Sequence, residues 1–308
     1  MPLGGTVGTH THVVNLTAAF AADGGAPLVR GMRQLLEEAE AAGSLDRARA
    51  AALSGLWRLS LDAVTIRAPI YDPEKIICVG MNYHDHCTEQ NFPIPKEPVL
   101  FSKFASSIIA DGEPIPLEEH ETAELDFEVE LAIVIGRKGR RIPRESALEY
   151  IAGWTIAHDV SARDWQMKRN GGQWLLGKTM DGFAPIGPAI VTRDEGTPFL
   201  DAGALGVSTK LNGELMQNSN TNQLIFKPAD IVAFASRFIT LKPGDLIFSG
   251  TPGGVGVFRK PPLFLKNGDH VEVAIEGIGR LQNRVAAGDE AAATASALSV
   301  GTAKRARL

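Results

Sequence analysis

The sequence predicts an α+β chain that is mainly β, preceded by a small helical amino-terminal segment. Three observations carry this expectation. Apolar residues recur near helical spacing between residues 30 and 56, short runs rich in Ile and Val and bounded by Gly, Pro and Asn begin after Lys75, and few long helical patterns follow.

In the amino-terminal segment Met32, Leu35, Leu36, Ala39, Ala48, Ala51 and Leu53 fall near a helical period, with a break at Gly43-Ser44, so a helical hairpin is expected. Pro69 and Pro73 then mark an extended link, which puts a boundary near residue 70. Residues 71–286 form the expected catalytic domain, where strand-like runs such as 131–135 and 245–249 alternate with turns. Residues 287–308 consist largely of Ala, Ser, Thr and Gly with no aromatic side chain. With so little to pack, they are expected as a disordered tail.

A chain of 308 residues can bury a large core. Its 44% hydrophobic and 22% charged content and formal net charge of −5 describe a soluble protein without the basic surplus of a nucleic-acid binder. No apolar run approaches the roughly 18 residues that a bilayer crossing needs, so no membrane association is expected. Cys78 and Cys87 give neither a zinc knuckle nor a disulfide framework, which fits a reducing compartment. Residues 1–20 hold no Arg or Lys, unlike an Arg-rich mitochondrial leader. Ala306-Arg307-Leu308 resembles a variant of the tripeptide read by the peroxisomal import receptor, although a basic solvated tail has the same composition. Mitochondrial and cytoplasmic addresses are the alternatives.

The chemistry concentrates in a few segments. From Leu125 to Ile135 the chain alternates in period two, placing Asp126, Glu128 and Glu130 on one sheet face and Phe127, Val129 and Leu131 on the other. Ala132 and Val134 continue the acidic face, so its carboxylates adjoin apolar positions. Uncompensated carboxylates lose several kcal/mol each on leaving water, a penalty that a hard divalent cation removes. A solvated edge strand with its charges outward is the alternative. Asp159 follows a second apolar run, from which a strand end can deliver a third carboxylate; it or Ser161 can equally cap a helix over 163–167. After the strand-like run 75–79, a helical turn would set Glu89 three residues beyond His86, where a carboxylate fixes the imidazole tautomer as a general base requires. Alternatives are His84 and His86 as a pair of metal ligands on a strand, or surface histidines on a loop.

Val79-Gly80-Met81-Asn82-Tyr83 with His86 and Glu89, Glu128-Val129-Glu130, the run from His158 to Asp164, Gly177-Lys178 and Ser249-Gly250-Thr251-Pro252 together resemble the fumarylacetoacetate hydrolase family, in order and spacing, over residues 69–285. Asp164-Trp165-Gln166-Met167 and the run from Gln173 to Lys178 are similar to its domain-containing protein 2 subgroup. The resemblance implies a mixed β-roll with peripheral helices, paired into a homodimer. It implies that Glu128, Glu130 and Asp159 hold Mg²⁺, sometimes Mn²⁺ or Ca²⁺, and that His86 and Glu89 form a proton-transfer dyad. It implies that Lys178 and Gln166 contact the oxyanion or the metal-bound substrate, and that Thr251 binds the substrate carboxylate.

A small 2-oxo acid is the implied substrate, acted on through a metal-stabilised enolate. Three outcomes are open to such an enolate. Met81 stands where relatives that hydrolyse acylpyruvates or fumarylacetoacetate carry an Arg, and losing that clamp weakens such substrates. The subgroup that the chain resembles shares this Met and is associated with tautomerising oxaloacetate, so the resemblance ranks keto-enol tautomerisation of oxaloacetate first, C–C hydrolysis of an acylpyruvate-like acid second, and oxaloacetate decarboxylation third. Met180-Asp181-Gly182 also departs from the family pattern, which bears on local pocket shape. A noncatalytic protein stapled by its metal is the reading from a different class; the imidazole-carboxylate pair speaks against it.

Overall fold

The structure is a computed structural model that describes residues 12–14, 58–60, 66–193, 199 and 201–291. The chain divides into two compact units, Met1–Ile66 and Arg67–Leu308. In the first, β1 (His12–Val14) pairs antiparallel with β2 (Arg58–Ser60). The helical hairpin expected over residues 30–56 lies outside the described residues.

The second unit begins its strands with β3 (Ile76–Gly80), β4 (Val99–Lys103), β5 (Ile108–Ile109), β6 (Ile115–Leu117) and β7 (Leu125–Asp126). It continues through β8 (Val129–Ile135), β9 (Ile151–His158), β10 (Ser161–Ala162) and β11 (Ala184–Thr192). The last strands are β12 (Gly206–Leu211), β13 (Glu214–Asn220), β14 (Leu246–Phe248), β15 (His270–Ile275) and β16 (Gly279–Ala287). Helices are few: α1 (His84–Glu89), α2 (Leu175–Lys178) and α3 (Pro228–Phe238). A seven-stranded mixed sheet runs in the order β4-β3-β14-β8-β9-β11-β5, a five-stranded sheet in the order β13-β12-β15-β16-β6, and β10 pairs with β7. This is the α+β, mainly β architecture that the sequence predicts, with a curled sheet at its centre.

The period-two alternation of β8 separates two cores. Val129, Leu131, Ile133 and Ile135 face a large cluster shared with Val207, Val273 and Leu281 of the five-stranded sheet and with Ile231 and Ala235 of α3. On the other face Ala132 and Val134 meet Cys78, Ala157, Ala184 and Phe248, which come from strands of the same seven-stranded sheet. A sheet that curls onto its own face leaves little room inside, and Ala and Cys side chains fit that space. Glu130 continues this inner face toward the sheet edge.

Two details differ from expectation. The acidic run is two strands, with β7 paired to β10 and β8 to β9, because the Asp126 carboxylate accepts from the Phe127, Gly256 and Val257 N–H groups and turns the chain there. At the carboxyl end, the first residues of the segment expected to be disordered are ordered. Ala287 pairs with Leu117, residues 288–291 form a helical turn, and Ala291 is buried, since backbone pairing needs no aromatic side chain. The remainder, including Ala306-Arg307-Leu308, lies outside the described residues. Among the described residues no helix is long and apolar enough to cross a membrane.

Packing inside the curled sheet is testable. Ala132→Leu is expected to destabilise the protein by about 1–3 kcal/mol through overpacking, read as a lower denaturant midpoint. An unchanged midpoint would mean that the inner face has room to spare.

Candidate active site

Strand direction assembles the site. β3 and β14 are parallel, β8 is antiparallel to β14, and β9 is antiparallel to β8, with Glu130 opposite Ala157 and Val129 opposite His158. The carboxyl ends of β3, β14 and β9 therefore meet the amino end of β8 at one sheet edge. That edge gathers Gly80 to His86, Ser249 to Thr251, Glu128 with Glu130, and Asp159.

Glu128, Glu130 and Asp159 each offer one oxygen within 4.8 Å of the others, and all three are buried. The solvated edge-strand alternative fails, since β8 lies between β14 and β9. The helix-cap alternative for Asp159 fails too, because its carboxylate faces Lys103 at 2.7 Å and Lys178 at 2.8 Å. Lys178 Nζ also donates to Glu128 Oε2 at 2.8 Å and Ser161 Oγ at 2.6 Å. Arg163 pairs with Glu128 at 2.7 Å and with Asp126 at 2.7 Å, and donates to Gln166 Oε1 at 2.8 Å.

Charge is unevenly shared across this cluster. Burial pushes the Glu128 carboxyl up, but Lys178 and Arg163 outweigh it and hold that carboxyl well below the usual range. Glu130 goes the other way, because burial and then the neighbouring Asp159 and Glu128 raise it well above the usual range. It accepts a hydrogen bond from the Gly250 N–H, and among the described residues it has no ion pair. Burial draws Lys103 down, whereas Asp159 and Glu128 hold Lys178 up against the same burial. Burial and Lys103 push the His158 imidazole down to about 3, so it is neutral, and neither of its ring nitrogens is hydrogen-bonded.

A hard divalent cation fits this donor set. All the donors are carboxylate oxygens, they converge, and one of them is an acid with no cationic partner. The set does not suit zinc: His84 and His86 lie on a helix rather than a strand, and His84 is exposed.

The dyad geometry is present. Helix α1 brings Glu89 Oε2 to 3.3 Å from His86 Nδ1, which leaves Nε2 for the pocket. Glu89 is itself held by the Gly254 N–H at 2.9 Å. Gly250 has φ 102°, and an added Cβ would lie 2.8 Å from that of Asn82, so a close turn beside Glu130 requires glycine there. One pocket is lined by His86, Glu128, Glu130, Gln166, Lys178 and Thr251, together with Met81. The Thr251 hydroxyl is otherwise engaged, donating to the Val129 carbonyl and accepting from Gln217 Nε2.

Sequence reasoning missed Lys103, Arg163 and Gln217. Lys103 sits in β4 with no motif around it, yet its Nζ donates to the Val160 and Lys178 carbonyls as well as meeting Asp159. Gln217, in the far sheet, bonds both the Val129 N–H and Thr251. Arg163 lay within a segment already singled out, and its spacing of four from Asp159 was the available signal.

Comparison with known proteins agrees with this geometry. Residues 75–286 match the family model described as fumarylacetoacetate (FAA) hydrolase C-terminal. The chain is 55% identical over 254 residues to the mitochondrial oxaloacetate tautomerase fahd2 of Xenopus laevis, covering 82% of this chain and 78% of the relative. It is 50% identical over 283 residues to the mitochondrial oxaloacetate tautomerase FAHD2A of Homo sapiens, covering 92% and 87%. Among solved structures it is similar to maleylpyruvate hydrolase from Sphingobium sp. SYK-6, in complex with manganese(II) and pyruvate. That likeness has a TM-score of 0.74 and 29% identity over 92% of this chain and 95% of that one. It is also similar to a fumarylacetoacetate hydrolase from psychrophilic Exiguobacterium antarcticum, with TM-score 0.68 and 44% identity over 75% and 80%. The chain belongs to the fumarylacetoacetate hydrolase family.

Proposed function

We propose that this protein is a Mg²⁺-dependent oxaloacetate keto-enol tautomerase. The observation that carries the reading is the convergence of three buried carboxylates, two of which, Glu128 and Glu130, line one pocket with His86 and Lys178. The names of the relatives, oxaloacetate tautomerases in two organisms, support the substrate.

Glu128, Glu130 and Asp159 would hold the cation. When bound, it supplies positive charge against the negative charge that develops on the substrate's 2-oxygen. The remaining work falls to side chains. His86 Nε2, its tautomer set by Glu89 on Nδ1, moves the proton at C3. Lys178 Nζ, held beside the carboxylates by Glu128, Asp159 and Ser161, adds fixed positive charge near the oxygen. Arg163 occupies the Gln166 amide oxygen, so the amide nitrogen is the group Gln166 presents to substrate. Thr251 lines the pocket near the substrate carboxylate, with its hydroxyl oriented by Gln217 and Val129.

C–C hydrolysis of an acylpyruvate-like acid is the second reading, with decarboxylation behind it. Met81 favours tautomerisation over hydrolysis, since it lines the pocket where hydrolytic relatives place a cation. Residence in mitochondria, which the relatives' names carry, and pairing into a homodimer, which the family resemblance implies, belong to the same proposal. The peroxisomal address draws no support from those names.

Mixing the protein with enol oxaloacetate and Mg²⁺ should speed the loss of enol absorbance without release of pyruvate. Pyruvate release matching enol loss would favour decarboxylation, and no change in either would favour a noncatalytic protein. His86→Ala should lower the rate by roughly 10²–10⁴-fold and leave the cation in place. Glu128→Ala should lose both activity and cation binding. Wild type and His86→Ala are therefore expected to gain about 2.7 kcal/mol of unfolding stability at about 100 times the dissociation constant of Mg²⁺, and Glu128→Ala none. Equal loss of that gain in both variants would contradict this division of roles.

A further inference from the structure

The polar half of the pocket accounts for one end of a 2-oxo acid, while the rest of its lining is apolar. Met81, Phe101, Met167, Trp174 and Phe258 form it, with Gln90 as the polar exception. The wall is built rather than incidental. The Trp174 indole meets the Phe101 ring edge-on, with centroids 5.3 Å apart and planes at 67°. It also lies against Gly80, where an added Cβ would come within 2.6 Å of the indole, so the bare backbone sets how deep the ring sits. The Met81 sulfur is held 3.4 Å from Gln90 Nε2. Met167, a polarisable thioether beside these rings, is 48% exposed.

No cation in the described lining is free to receive a second carboxylate. Lys178 is engaged by Glu128, Asp159 and Ser161, and Arg163 by Asp126, Glu128 and Gln166. A carboxylate pressed against Trp174 and Phe101 would lose water, and the cation beside that wall, Lys178 Nζ at 5.0 Å from the Phe101 ring centroid, is already engaged by three other groups. An aryl group would exchange water for ring and thioether contacts.

We infer that this pocket also tautomerises 2-oxo acids whose C3 carries an aryl or bulky alkyl group, the apolar wall receiving that group. The inference rests on the tautomerase reading above. Oxaloacetate is short enough to leave its second carboxylate in solvent at the pocket mouth, whereas an arylpyruvate reaches the wall. The reaction is an isomerisation and needs no co-reactant. In the enol-to-keto direction the proton on the 2-oxygen passes to water, the C2–C3 double bond becomes C2–O, and C3 gains a proton from His86, which takes one back from water, so no proton is gained or lost overall.

Freshly dissolved enol phenylpyruvate and enol oxaloacetate, each offered to the full chain with Mg²⁺, test this by loss of enol absorbance. Both should be accelerated, with kcat/KM values within about tenfold of each other. Trp174→Ala should lower the phenylpyruvate value by roughly tenfold more than the oxaloacetate value. Met81→Arg, which sets a cation in the wall, should shift the preference toward oxaloacetate. Acceleration of oxaloacetate alone overturns this inference and leaves the proposed function standing. Acceleration of neither removes the proposed function itself. Equal loss on both substrates in a Trp174→Ala protein with unchanged thermal unfolding overturns the assignment of the wall.

Discussion

Holding Glu128, Glu130 and Asp159 together away from water is the constraint on which the rest of the site depends. Each carboxylate gives up hydration worth several kcal/mol, and their mutual repulsion adds to that. The fold offsets the repulsion with three buried cations, Lys103, Lys178 and Arg163, drawn from separate parts of the chain. Asp126 takes up part of Arg163, so four buried acids face three cations, and Glu130 is the acid left with a raised pKa. A divalent cation completes this balance, which is why a strongly charged cluster can be built into the inner face of a sheet that is otherwise apolar there.

On the proposed reading, the same arrangement separates cation binding from proton transfer. Glu130 belongs to β8, Glu128 immediately precedes that strand and Asp159 immediately follows β9, and both strands lie inside the seven-stranded sheet. The imidazole belongs to α1, a short helix fastened by side chains to a glycine-rich turn: Glu89 accepts from Gly254, and Asp85 from Gly253. Ser219 of the other sheet donates to Asp85 as well. A base on a short, tethered helix beside a rigid acidic floor can be set against substrate without disturbing the carboxylates.

Much of this was legible in the sequence because it is periodic or local. Alternation along residues 125–135 places the acids on one face, and a separation of three residues puts Glu89 on His86 once a helical turn is assumed. The resemblance added Asp159 and Lys178, which spacing alone does not bring together. What was not legible depends on long-range geometry. Lys103 lies 56 residues before Asp159, on an edge strand whose curl alone brings the two charges within 2.7 Å. Gln217 reaches Thr251 from the opposite sheet, and the break at Asp126 arises from N–H groups some 130 residues away. The ordered start of the carboxyl-terminal segment was missed because composition registers side chains, while Ala287 is fixed by its backbone against Leu117.

Anomalous X-ray scattering from crystals soaked in Mn²⁺ measures whether the three carboxylates share one ion. A single strong peak is expected between Glu128, Glu130 and Asp159, with an oxygen of each at bonding distance. A map with no peak there, and with Lys178 still bridging Glu128 and Asp159, would contradict it.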